Sequence, residues 1–141
     1  MSIENLLIEH ATALRRYLES SHAGTYVEVL KLFPDSCCSV SSKFFLKLLS
    51  DKEHIYRGVL VANGRRECAT HAWAELDEYI IDITADQFSD FHTPVFVGKN
   101  SDWHSTFAGA TRHGHHESVR FDFCHQSEYD LLLTHIDNFK Q

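Results

Sequence analysis

No cluster of lysine and arginine occurs along the 141 residues, and the formal charge is −7 at neutral pH with histidine uncharged. Phosphate backbones and anionic lipid surfaces are held by grouped cations, so neither nucleic acid nor a membrane is expected as a partner. No run approaches the roughly 18 apolar residues of a membrane span. The opening stretch MSIENLLIEHATALRRYLES is interrupted early by acids and followed by no small-residue cleavage site, so it does not read as a secretion signal. Two prolines and six glycines are scattered, and no repeat, linker or low-complexity tract divides the chain. Four cysteines without a secretion signal point to a reducing compartment, where thiols stay free. The expectation is a soluble, cytoplasmic protein of one domain, residues 1–141.

The hydrophobic content of 43 % is sufficient for a core without disulfide staples, since a chain of this length buries roughly two-thirds of its unfolded surface. Ile3, Leu6, Leu7, Ala11, Leu14 and Leu18 recur at helical spacing over residues 2–20, with Ser2 as candidate N-cap and Glu4 suited to the positive end of the dipole. Tyr26 to Phe33 reads as a short second helix or a continuation, ended by Pro34. A further helix is expected from about Ser36 to Leu49, capped by Asp35 or Ser36. The pattern then becomes β-like, with strands expected at Ile55–Val61, Thr70–Leu76, Tyr79–Ile83 and Pro94–Val97. Ser127 to Phe139 carries a helical stripe of Tyr129, Leu132, Leu133, Ile136 and Phe139. Helices first and a meander of strands after them make an α+β pattern.

Two adjacent cysteines open the Ser36–Leu49 helix. Cys37 shares a row with Val40, Phe44 and Leu48, which is wholly apolar; Cys38 shares its row with Ser41, Ser42, Phe45 and Leu49, whose first turn is polar. Cys37 is therefore the packed residue and Cys38 the accessible one. A thiol in the first turn meets unpaired backbone N–H groups and the positive end of the dipole, and both favour thiolate, the reactive form. The competing reading is that both are small buried hydrophobes.

The stretch THAWAELDEYIIDIT, Thr70 to Thr84, forms a hairpin if Leu76 faces Tyr79 across Asp77-Glu78. Alternation then places His71, Trp73, Glu75, Ile80, Asp82 and Thr84 on one face. Ala72, Ala74, Leu76, Tyr79, Ile81 and Ile83 fall on the other, an almost pure core face that supports the register. Asp82 is diagonal to His71, with Cα atoms roughly 7–8 Å apart. A carboxylate so placed can fix an imidazole tautomer and stabilise imidazolium. Asp-Glu is a poor two-residue turn, since Gly is preferred second. A Cys at a helix start, a His on a strand and an Asp on the adjoining strand have the order of a thiol–imidazole–carboxylate site. Taken singly, His71 is better read as a half-buried strand histidine with an incidental neighbour; the conjunction with Cys38 and Asp82 favours the site.

These residues carry a resemblance. FPDSCCSVSSKFFLKLL followed by HAWAELDEYIIDITADQF resembles the bacterial transglutaminase-like branch of the papain-like cysteine-enzyme superfamily, over about residues 33–107 and including VFVGKNSDWHSTF. The match is specific at His71, Trp73, Asp82, Thr84, Gln87 and Phe88. The resemblance implies a transglutaminase-like α+β fold, with N-terminal helices packed on a small antiparallel sheet. It implies Cys38 as nucleophile, His71 as base and Asp82 as the orienting acid, without a cofactor. The chain departs from the pattern at Ser39, where Gly commonly follows the nucleophile, and at Glu78 in the hairpin turn. No glutamine precedes the cysteines, so Gln87 is the candidate second oxyanion donor, or else a brace for its turn. Trp73 is a candidate cleft wall, or ordinary sheet packing.

The expected activity is that of an amide hydrolase or acyltransferase, whether deamidase, peptidase or transglutaminase, working through a thioester on a peptide or protein. Two other readings stand beside it: a silent binding module on the same fold, and a metal-binding protein. The latter would use RHGHHESVRFDFCHQ, with His113, His115, His116, Cys124 and His125. That run lacks the tight, repeated ligand spacing of a structural metal site, so a solvated loop is the simpler expectation and no metal is assigned. Cys68 reads as a packing residue. Nothing in the pattern bears on oligomeric state.

Overall fold

Ser2 accepts the backbone N–H of Asn5 at 3.2 Å and so caps the first helix, α1 (Ile3–Leu18). The computed structural model describes residues 1–140. Leu7, Ala11, Leu14 and Leu18 turn one stripe of α1 into the core, as their spacing requires. A short 3₁₀ turn, Glu28–Leu32, leads to α2 (Cys38–Glu53). Cys37, just before α2, and Val40, Phe44 and Leu48 on it are all buried.

Five strands follow as one antiparallel sheet in the order β4-β3-β2-β1-β5: β1 (Val59–Arg66), β2 (Ala69–Leu76), β3 (Tyr79–Asp82), β4 (Phe96–Gly98) and β5 (Thr111–His113). Helix α3 (Asp102–Ser105) lies between β4 and β5, and α4 (His115–Ser118) and α5 (Phe123–His135) follow β5. The fold is α+β. One sheet face, with Ala72, Ala74, Leu76, Tyr79, Ile81 and Ile83, joins the residues of α1, α2 and α5 in the main core. The opposite face is covered by a second apolar cluster of Val61, Trp73 and Phe107, joined by Ile80, Phe88 and Trp103. No helix of the described residues is long and apolar enough to cross a membrane.

Several boundaries differ from expectation: α2 runs on to Glu53 rather than ending at Leu49, the fourth strand is Phe96–Gly98 rather than Pro94–Val97, and three further differences have a local reason. Helix α2 starts at Cys38 and is capped by Cys37, not by Asp35 or Ser36. Ser36 lies at φ +64°, a left-handed conformation that cannot belong to the helix. Residues 55–58 are not strand, because β2 turns back at Leu76 and offers Ile55–Arg57 no ladder partner; the strand instead runs on to Arg66. The last helix starts four residues early, at Phe123, because Asp122 accepts the N–H of His125 at 2.8 Å, and it tightens to 3₁₀ over Ile136–Phe139.

Candidate active site

The β2–β3 hairpin pairs Leu76 with Tyr79, Glu75 with Ile80 and Ala74 with Ile81. Asp77 takes φ +57° and so supplies the positive dihedral that a two-residue turn requires. This is the register read from the alternation, and it sets His71 and Asp82 on one face. On the other side of β2 the ladder slips by a residue between Val61 and Gly64, so that Gly64 stands opposite His71. That bulge brings a glycine where a Cβ would lie 3.0 Å from Cβ of Phe107, and Phe107 closes over the His71 ring at 5.4 Å.

His71 Nε2 lies 2.6 Å from Asp82 Oδ2, and both residues are 1 % exposed. His104, from α3, brings its own Nε2 to the same oxygen at 2.7 Å. The other oxygen, Oδ1, accepts the Thr84 backbone N–H at 3.0 Å, with the Thr84 hydroxyl at 3.4 Å. Burial alone would push the Asp82 carboxyl up, but hydrogen bonds from His104 and His71 outweigh it and hold the acid well below the usual carboxylate range. Burial by itself would lower His71; Asp82 and then Cys38 overcome it, and His71 is pushed up to about 9.

Both walls of this pair are braced. Phe88, Phe107, Trp73 and Trp103 surround the His71 ring with centroids 5.1 to 5.8 Å away. Arg66 lies across Phe107, Trp103 and Phe88 at 4.7, 5.1 and 5.5 Å and is tied to Asp90 at 3.0 Å. From the other side Arg15 of α1 reaches the segment after Asp82, donating to the Ile83 carbonyl at 2.8 Å and to both oxygens of Asp86 at 2.7 and 2.9 Å.

Cys38 is the first residue of α2 and is half-buried, whereas Cys37 is 2 % exposed. Burial pushes the Cys37 thiol up to about 11, so it stays protonated and inert at neutral pH. Cys38 lies close enough to His71 to favour the protonated ring. No conventional hydrogen bond reaches His71 Nδ1, which is buried and without a partner among the described residues. The N-cap Cys37 makes no side-chain bond to the first turn, which leaves the backbone N–H groups beside Cys38 uncapped. Cys38 opens onto a groove of about 220 Å³ lined by Val29, Ser36, Ser39, Val40, Lys43 and His125. A roomier hollow of about 470 Å³ on α1, between Ile8 and Phe139, holds no thiol or imidazole among its lining residues. Volume does not locate the chemistry here.

Trp73 is 4 % exposed, donates its indole N–H to Glu75 at 3.1 Å, and edges a separate hollow with Ser101 and His104. The Gln87 amide donates to the Thr84 carbonyl at 3.1 Å, which braces the turn behind Asp82. The histidine-rich run is dispersed over three elements. His113 meets Glu117 at 3.2 Å, His125 meets its cap Asp122 at 2.8 Å, and His115 spans Ser50 and the Gly58 carbonyl at 3.0 and 2.8 Å.

The ligand-type group that does assemble is His71, Asp82 and His104. Its donor and acceptor atoms stand 2.6 and 2.7 Å apart. Ligands on a tetrahedral ion with bonds of about 2.1 Å stand about 3.4 Å from each other. The spacing is that of direct hydrogen bonds from two imidazoles to one carboxylate oxygen. His104 was given no role from sequence; its signal is the spacing Ser101-x-x-His104, a serine-capped turn that aims the ring inward.

Compared with protein-family models, curated proteins and solved structures, the chain matches none of them.

Proposed function

We propose that the protein is a cysteine-dependent amide hydrolase or acyltransferase that acts through a thioester on a peptide or protein. The observation that carries this reading is the buried His71–Asp82 pair, whose Nδ1 has no hydrogen-bond partner among the described residues, with the helix-opening Cys38 near enough to favour the protonated ring. The resemblance of the Cys, His and Asp segments to the transglutaminase-like branch points the same way.

In this reading the Cys38 proton passes to His71 Nδ1, and the sulfur attacks an amide carbonyl carbon. The carbonyl π pair moves to oxygen, where uncapped N–H groups of the first turn of α2 receive the negative charge. As the oxyanion collapses, the C–N bond breaks and Nδ1 returns the proton to the leaving amine, which gives a thioester on Cys38. Water or an amine then attacks the thioester, His71 takes its proton, and the thiolate leaves. Throughout, Asp82 carries the negative charge that steadies the imidazolium.

The test uses p-nitrophenyl acetate on a Cys68→Ser/Cys124→Ser background, because both of those thiols are exposed. A burst of p-nitrophenol with an acetyl group located on Cys38 is expected, lost in Cys38→Ala and kept in Cys37→Ala. Equal, slow acetylation of both remaining thiols would refute an activated nucleophile. It would favour the silent binding module, for which the unpartnered His71 Nδ1 is the supporting observation.

A further inference from the structure

Two imidazoles converge on one buried carboxylate oxygen, and the mechanism above uses only one of them. His104 Nε2 stands 2.7 Å from Asp82 Oδ2, nearly the length of the His71 contact at 2.6 Å. We propose that His104, locked by Ser101, is a positioning residue for this chemistry: it holds the Asp82 carboxylate ionised and aimed at His71. The inference rests on the reading of Cys38, His71 and Asp82 as the reacting set.

The two rings differ in what occupies their far nitrogens. Ser101 Oγ accepts the His104 backbone N–H at 3.1 Å, so its own O–H is free to donate to His104 Nδ1 at 2.5 Å. Nδ1 of His104 is then an acceptor, and the ring proton sits on Nε2, facing Asp82. His71 Nδ1, by contrast, has no partner among the described residues. One ring is fixed as a donor; the other is free to exchange a proton.

Rotation of His104 is blocked by Trp73 and Trp103, each with its ring centroid 4.9 Å away, and by Phe96 at 5.4 Å. The carboxylate is pinned as well, since Thr84 holds Oδ1. A buried carboxylate with too few donors takes up a proton, and a neutral acid cannot steady an imidazolium. His104 supplies the extra donor without competing for the reaction's proton.

The experiment follows the carboxyl carbon of Asp82 by NMR against pH, together with Cys38 acetylation by p-nitrophenyl acetate. In His104→Leu the Asp82 titration is expected to move up by about one pH unit or more, and acetylation to slow about tenfold or more. His104→Gln, which keeps an N–H donor at similar reach, is expected to return the rate to within about threefold of the parent. An unmoved titration in the leucine variant, or a glutamine variant as slow as leucine, would reduce His104 to packing and overturn the proposal. If His104→Leu does not fold, Ser101→Ala is decisive: a smaller upward shift supports the lock, and no shift refutes it. Should the parent protein show no acetylation at Cys38, the reading of the reacting set falls. The Asp82 titration, repeated in Cys38→Ala, still reports whether His104 holds the carboxylate.

Discussion

Two neighbouring thiols with the same covalent chemistry are separated here by one helical step. Cys37 lies in the apolar row with Val40, Phe44 and Leu48, and that row alone distinguishes it from Cys38 in the sequence. His71, near Cys38, is held by a single carboxylate, so Asp82→Asn is the sharpest substitution at this scale. The amide keeps the shape but carries no charge, and it sets an NH₂ group either against the two imidazole donors or against Thr84. His71 should fall back toward its ordinary range, and Cys38 acetylation should slow about a hundredfold or more. An unchanged rate in a folded Asp82→Asn protein would remove Asp82 from the reaction. What the sequence could not disclose is the second imidazole. His104 is 22 residues from Asp82, and no periodicity links a four-residue helix to a strand.

Among the elements, the hairpin was the most legible part of the chain. One wholly apolar face admits one register, and a slip by a residue would have moved Asp82 away from His71. The one-residue bulge in β1, the three-residue β5 and the turn at Ala85–Gln87 were not legible, because each is held by partners distant in sequence rather than by its own pattern. Arg15 is such a partner. Its guanidinium, on a residue 8 % exposed, links α1 to Ile83, Asp86 and Pro94, the segment that follows Asp82. Arg15→Met leaves the Ile83 carbonyl and Asp86 without their donor. It should lower the urea-unfolding free energy by about 2–3 kcal/mol, less than for a fully buried pair because Asp86 is partly hydrated. Arg15→Met/Asp86→Leu should be less destabilised than the two single changes summed. Simple additivity would show that this clamp does not act as a unit.

For the whole molecule, the site's charges predict how stability depends on pH. His71 is raised from about 6.5 to about 9 on folding, because Asp82 and Cys38 outweigh the opposing effect of burial. The folded state therefore holds its proton more tightly than the unfolded chain. The resulting stability is complete below about pH 6.5 and is lost as pH rises through 9, with a magnitude of about 3 kcal/mol. Asp82 is lowered, so its contribution is present above the ordinary carboxylate value and is lost in acid. The buried Cys37 thiol, raised from 9 to about 11, acts only beyond that window: its neutral form is favoured below pH 9, and stability is lost above it. Stability should thus be highest between about pH 4 and 6.5 and fall through the range in which most cysteine chemistry is assayed. Replacing His71 with Asn removes the titrating ring, so the decline in urea-unfolding free energy between pH 6.5 and 9 should flatten while the loss above pH 9 persists. If His71→Asn declines as steeply as the parent over that interval, the slope belongs to other groups, such as self-repulsion in a chain already at −7. The separation is possible because the three groups titrate in different intervals.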